Sequence, residues 1–335
     1  MNPALETLLL HLATEEESIG ARRTLFLGAE PHPDLRSQEN LTGWQPVKAL
    51  ADQWEKAEFL RTDDFQGQRW PLILLLPGKS RDEILAAFAM ARDLLEPGGT
   101  ILAAMPNTTG ASRFEKEFAR AVGGVISLQK NKCRAFSATE NGNWNEELFA
   151  EWRVLGEGRR IGETVYQGRA GIFSSDRIDP GSQLLLDHLP SDLKGRAADL
   201  GAGWGFLARE TLLRCPKLTR IDLFENDSRA LDCARLNLEG VDREIAFRWF
   251  DVTSGLPEKY DIILTNPPFH SGKSTNLELG KTFLRVAAAS LHRGGKLFLV
   301  ANRQLPYEEV LDHTGLRWSR LVEDQTYKVI LAENG

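Results

Sequence analysis

Asn266-Pro267-Pro268-Phe269 closes an apolar run, Tyr260 to Thr265, and these four residues can carry a specific chemistry. The prolines fix their own φ angles and remove two N–H donors, so the Asn266 side-chain oxygen and the Pro267 carbonyl stay aimed as acceptors. Phe269 adds a flat face on which a planar group can stack. An exocyclic amine on a base or an amide is a poor nucleophile, because its lone pair is delocalised. Acceptors held on its hydrogens stabilise the positive charge that develops as the nitrogen attacks, with little reorganisation. Asn266, Pro267, Pro268 and Phe269 are the catalytic candidates. His270, next in sequence, can carry a proton or simply line the rim of a substrate pocket.

A second stretch, Asp199-Leu200-Gly201-Ala202-Gly203-Trp204-Gly205, follows another apolar run. Glycines there let the backbone approach a ligand, and the helix start that follows favours polar groups. Phe206 stands where the dinucleotide fingerprint needs its last glycine, and Pro267 stands where a phosphate loop ending in Gly272-Lys273-Ser274 would need its first. Acids end three successive strand-like runs. Glu225 lies 20 residues after Gly205, the offset at which doubly wound folds set a carboxylate on ribose hydroxyls, and Asn226 follows it. Asp251 is placed for an adenine edge, and Asp199 for a ligand amine or for orienting the loop. Singly, each acid reads as a cap or turn residue. Together they read as a nucleoside site formed by Asp199, Gly201, Ala202, Gly203, Gly205, Glu225, Asn226 and Asp251, with Asn266 at its edge.

The elements that must position these residues alternate, strand-like with helix-like, and predict an α/β fold with mostly parallel strands. Strands are predicted over 196–203, 220–227, 245–251, 260–268 and 295–302, and helices over 206–215, 228–240 and 282–295, the last ending at Gly294-Gly295. Residues 69–107 repeat the plan of 259–302, with Gly98-Gly99 and Gly294-Gly295 offset by 196 residues. Residues 24–31, TLFLGAEP, stand where the glycine loop stands in the second half, with two glycines lost. The pattern reads as a decayed duplication, with convergence on a common strand–helix–strand plan as the alternative, and a polar, glycine-rich boundary falls near 140–165.

In order and spacing, DLGAGWG, LFEND, WFDV and TNPPF resemble the motifs of class I S-adenosylmethionine-dependent methyltransferases. That resemblance implies S-adenosylmethionine as cofactor and an amino nitrogen as acceptor: guanine N2, adenine N6 or a glutamine amide. Residues 170–189, 266–272, 294–311 and 326–332 further resemble bacterial 16S ribosomal RNA guanine-N2 methyltransferases of the RsmC type. The resemblance implies two tandem Rossmann-like domains, each a mostly parallel seven-stranded sheet flanked by helices. Residues 1–150 would form a degenerate domain that has lost cofactor binding, and 151–335 the catalytic domain. It also implies that Phe173 and Gln183 line the cofactor site, and it sets Ala202 where the family often has cysteine. The implied partner is 16S rRNA of the small ribosomal subunit, and a target guanine in folded RNA must be splayed out to react. Rival readings are a methyltransferase for 23S rRNA guanine, adenine or protein glutamine, and a cofactor-binding assembly factor that modifies nothing.

Composition limits these readings. The net charge of −6 means that any RNA contact is a local patch on an acidic body. Arg159, Arg160, Arg169 and Arg177 cluster in sequence and are candidates for that patch, or form a solvated face. The longest apolar runs fall far short of the roughly 20 residues of a membrane span. Three cysteines without a CxxC pair read as thiols in a reducing compartment, and the stretch MNPALETLLLHLATEEES, with neither basic residues at its start nor a small-residue cleavage site, is not expected to be an export signal. A cytoplasmic monomer without a metal site is the expectation.

Overall fold

A computed structural model describes residues 2–14, 22–38, 40–268 and 274–335. The chain forms two compact units. The first holds Met1–Glu157 and Arg169–Gly171; the second holds Gly158–Gly168 and Ile172–Gly335.

In the first unit the strands are β1 (Thr24–Leu27), β2 (Leu41–Trp44), β3 (Leu60–Arg61), β4 (Trp70–Leu75), β5 (Leu95–Pro106), β6 (Ile126–Lys130) and β7 (Cys133–Thr139). They form one sheet in the order β3-β2-β1-β4-β5-β7-β6. A two-stranded ribbon, β8 (Arg159–Arg160) with β9 (Gln167–Gly168), begins the second unit. Its sheet contains β10 (Lys194–Leu200), β11 (Lys217–Glu225), β12 (Glu244–Trp249), β13 (Tyr260–Thr265), β14 (Leu291–Asn302), β15 (Arg317–Glu323) and β16 (Tyr327–Glu333). Their order, β12-β11-β10-β13-β14-β16-β15, repeats that of the first unit strand for strand. The last two strands of each sheet pair antiparallel and the others parallel.

Strand alternation sends side chains into two cores per sheet. Ala197, Ile262 and Leu264 join one cluster with the helices Phe206–Arg214 and Ser228–Asn237. Ala198, Leu200 and Ile263 join the other with the helix Ser274–Ala289. In the first unit, Ile73 packs with the helices Arg81–Leu94 and Ala111–Val122. Leu72 and Leu74 pack on the other face with the helices Pro3–Thr14 and Lys48–Lys56.

The glycine pairs differ from expectation. The last helix expected ends at Ala289, and β14 already starts at Leu291, so Gly294-Gly295 lies inside a strand. Tyr260 pairs with Leu291 and Ile262 with Lys296, so the extra residues of β14 bulge out between these pairs. Gly294 has φ +77°, and a Cβ on Gly295 would lie 2.9 Å from the His292 carbonyl oxygen. Gly98-Gly99 makes the same bulge in β5, with the register shift between Trp70 and Leu72.

Register also aligns the two units residue by residue. Leu27 pairs with Trp44 and Leu75, as Leu200 pairs with Phe224 and Thr265. Both strands turn out through the same hydrogen bonds: the amides of Gly28 and Ala29 donate to the Trp44 carbonyl, and those of Gly201 and Ala202 to the Phe224 carbonyl. By this alignment Phe26 stands for Asp199, Glu30 for Gly203, Gln45 for Glu225 and Leu76 for Asn266. In the first unit the loop and the neighbouring strand end lie closer together. A Cβ on Gly28 would lie 2.3 Å from the Leu76 carbonyl oxygen, whereas Gly201 has nothing nearer than Phe283 at 3.5 Å.

Candidate functional site

In the second sheet the chain leaves β10 for β11 on one side, while β13 adds on the other. Ligands of doubly wound sheets bind at such a switch point, outside the C-terminal strand ends. A cavity of about 270 Å³ opens there, lined by Gly201, Gly203, Glu225, Asn226, Asp251, Asn266, Pro267 and Pro268 among others. The glycine loop, the ends of β11 and β12 and the Asn-Pro-Pro turn, spread over 68 positions of sequence from Gly201 to Pro268, thus meet in one place. A smaller recess of about 40 Å³ adjoins it, sharing Phe173, Gly201, Gly203 and Asn266, and adds Ala202, Asp179 and Ser182.

Glu225 ends β11 and braces the loop. Its Oε2 accepts from the Gly203 amide (2.7 Å) and its Oε1 from the Asp227 amide (2.9 Å). Each oxygen keeps a further lone pair for a hydroxyl donor. Burial raises the Glu225 pKa above the usual range, although these amides pull it down. Asp199 is 1% exposed, and neither carboxylate oxygen is in hydrogen-bond geometry with a donor among the described residues. Burial, with the Glu225 charge adding to it, pushes its pKa up to about 7; the Ala208 amide offsets this only weakly. Asp199 lines neither cavity and lies behind the glycine loop as a buried acid with no side-chain partner among the described residues. Asp251 accepts from the amide (2.9 Å) and hydroxyl (2.8 Å) of Thr253, and the Asn226 carbonyl accepts from Trp249 Nε1 (2.9 Å).

Asn266 follows β13 directly. Its Nδ2 donates to Asp179 Oδ2 (2.8 Å) and to Ser182 Oγ (2.9 Å), whereas its Oδ1 is buried with no partner among the described residues. The amide therefore keeps an unused acceptor at a site that both cavities reach. Phe173 is 54% exposed and lines both cavities. Its loop is anchored beside it, where Trp204 Nε1 donates to the Ser174 carbonyl (3.2 Å) and Ser174 adopts φ +49°.

Gln183, Gly205 and the four arginines lie elsewhere. Gln183 is absent from both cavity walls: it projects along its own helix, Pro180–Asp187, where Nε2 donates to Asp187 (2.8 Å). Gly205 is a packing position: with φ +86°, a Cβ there would meet Leu238 Cδ1 at 2.5 Å and Ala234 Cβ at 3.2 Å. Arg169 belongs to the first unit and donates to the Gly156 carbonyl (3.2 Å), while Arg159 and Arg160 are exposed on β8 of the second. Arg177 is exposed. Phe269 and His270 lie outside the described residues.

The sequence reading missed Asp179 and Ser182, and also an apolar wall of Phe224, Phe250, Leu279 and Phe283. Leu279 and Phe283 stand four apart on one helix, a spacing visible in sequence that does not separate a core face from a pocket face.

Residues 163–331 match the family described as methyltransferase small domain. Over 266 residues the chain is 32% identical to the ribosomal RNA small subunit methyltransferase C of Psychromonas ingrahamii, covering 78% of this chain and 76% of that protein. The chain belongs to this methyltransferase family. The protein of the same name from Yersinia enterocolitica is 28% identical over 345 residues, covering 100% of this chain and 96% of its own length. A solved structure of the T. thermophilus 16S rRNA N2 G1207 methyltransferase (RsmC) with AdoMet and guanosine aligns with a TM-score of 0.83. At 23% identity it covers 100% of this chain and 92% of its own, and so shows a shared tandem fold. The family match spans β10 to β16 almost entirely, the sheet that carries the cavity.

Proposed function

We infer that this chain transfers the methyl group of S-adenosylmethionine to the exocyclic N2 of a guanine in 16S rRNA of the small ribosomal subunit. The observation that carries the inference is the Asn266 amide, with its N–H groups taken by Asp179 and Ser182 and its buried Oδ1 unused. Family membership and the names of its relatives agree with it.

The residues present fit the cofactor. Glu225 suits the ribose hydroxyls, Asp251 and the apolar wall the adenine, and the glycine loop the amino-acid end, with the unpartnered Asp199 carboxylate behind that loop. When bound, S-adenosylmethionine supplies an electrophilic methyl group. Asn266 Oδ1 and the Pro267 carbonyl accept the hydrogens of the target amine and stabilise the charge growing on nitrogen. The N–C bond would form as the sulfonium S–C bond breaks, the sulfur keeping the electron pair as S-adenosylhomocysteine, and the nitrogen would release one proton to water, so no dedicated base is required. Holding amine and cofactor at one strand end supplies proximity. Phe269 supplies a stacking face, with His270 and Arg159, Arg160 and Arg169 as candidate RNA contacts.

Residues 151–335 are assigned the catalysis, and residues 1–150 a supporting role with RNA-contacting surface. Phe26, Glu30, Gln45 and Leu76 at the aligned ligand positions support that division. The chain is assigned to the cytoplasm as a monomer; no helix among the described residues is long and apolar enough to cross a membrane.

The test is tritiated methyl transfer to small subunits from cells lacking this gene, followed by nucleoside analysis. Label in N2-methylguanosine, reduced about 10²–10³-fold by Asn266→Ala, is expected. No label in small subunits, large subunits or free RNA, despite cofactor binding, would overturn the reading.

A further inference from the structure

An asparagine amide can sit in its pocket in two orientations of nearly the same shape, and only one presents oxygen to a substrate amine. For Asn266 the choice falls to groups more than eighty residues earlier in the chain. Asp179 Oδ2 lies 2.8 Å and Ser182 Oγ 2.9 Å from Nδ2. A carboxylate is an acceptor only, so the reversed amide would set two oxygens against each other at hydrogen-bond distance. Asp179 Oδ2 is itself held, because it also accepts from the Ser182 amide (2.8 Å) as the N-cap of the helix Pro180–Asp187. That helix is in turn seated on β16, where a Cβ on Gly181 would come within 3.0 Å of the Tyr327 ring. The chain of contacts runs from β16 through the capped helix start to the amide at the end of β13.

We propose that Asp179 and Ser182 are positioning residues for the methyl transfer: they hold the Asn266 amide with Oδ1 toward the cavity. The proposal rests on the methyl-transfer reading above. Asp179 does not touch the target amine; it acts through Asn266. Removing it leaves Asn266 in place but free to turn its NH₂ toward the substrate, where a donor would repel the amine hydrogens instead of accepting them.

The experiment is single-turnover methyl transfer to unmethylated small subunits by the full chain, with cofactor Kd and thermal stability measured in parallel. The variants are D179A, D179N, S182A, N266A and the double variant N266A/D179A. D179A is expected to lower the rate about 10–100-fold and S182A about 3–10-fold, with cofactor Kd changed less than about twofold. In D179N the amide oxygen can still accept both hydrogen bonds, and most of the rate is expected to return. The decisive readout is non-additivity: in the N266A background, D179A is expected to change the residual rate less than about twofold, because nothing remains to be positioned. A D179A rate equal to wild type, a loss that D179N does not restore, or a full further loss in the double variant would each overturn the proposal. Wild-type protein that methylates no subunit, whatever the variants do, overturns the methyl-transfer reading instead.

Discussion

Gln45 and Glu225 occupy the same place in two sheets of identical order and turn opposite groups toward the loop beside them. Gln45 Nε2 donates to the Ala29 carbonyl (3.0 Å), whereas Glu225 accepts from the Gly203 amide (2.7 Å). Gln45 is 3% exposed and its Oε1 is occupied by the Val47 amide, so it is a closed hydrogen-bond circuit. Glu225 lines an open cavity. Gln45 is thus one of several differences, with Phe26, Glu30 and Leu76, between a self-satisfied strand end and one that faces an open cavity.

The first prediction is a stoichiometry of one. Calorimetric titration with S-adenosylmethionine is expected to find one site per chain, which Glu225→Ala weakens about 10–100-fold, corresponding to roughly 1.5–3 kcal/mol for a charged hydrogen bond. Gln45→Glu is expected to create no second site, because the Leu76 backbone still crowds the loop at Gly28 and Phe26 and Glu30 remain. Two sites in the wild-type chain would contradict the assignment of the first unit.

Cofactor affinity is expected to rise with pH between about 6 and 7.5. Burial and Glu225 hold the Asp199 pKa near 7, and a cationic ligand favours its ionised form. Asp199→Asn should flatten this dependence. The effect on folding has the opposite sign. A folded pKa raised above 3.8 stabilises the fold below that value, and the stabilisation is lost as pH rises through about 7. Denaturation of the cofactor-free protein should therefore show Asn at 199 gaining on wild type from pH 4 to pH 8. A pH-independent difference would refute the assignment.

Two left-handed glycines are expected to separate binding from stability. Gly203 has φ +55° and open space where a Cβ would sit, so Gly203→Ala should cost only about 1–2 kcal/mol of backbone strain while obstructing the ligand. Gly205→Ala meets Leu238 and Ala234 as well, and should destabilise by about 2–4 kcal/mol, strain and overpacking together, while its folded fraction binds cofactor normally. Chemical denaturation and cofactor titration of both variants check this crossing pattern.

Truncating Phe173 to Ala is expected to weaken ligand binding about tenfold without changing thermal stability, because more than half of the side chain is exposed and the loop is held by Trp204 and Ser174. A fall in melting temperature by several degrees would instead place Phe173 in the core.

Sequence alone was enough for whatever depends on neighbours along the chain. The strand–glycine–helix passage at Gly201 and the acid ending β11 follow local patterns, as does the proline-locked turn after Thr265, and the family resemblance drawn from them agrees with the relatives found. The repeated plan, too, was legible from spacing, and the two sheets share one strand order. What spacing could not reveal was the direction of a side chain or the far partner of a polar group. Ser182 faces Asn266 while Gln183, one residue on, points along its helix to Asp187, because each helical residue turns about 100° from the last. Gly205 sits in the motif yet serves packing, since the helix Ser228–Asn237 and its C-cap Leu238 come back over it. The Gly294-Gly295 bulge reads as a helix stop until β13 fixes its register. The acceptor identity of Asn266 lies in two hydrogen bonds to a segment more than eighty residues away, and only the folded sheet brings those groups to one strand end.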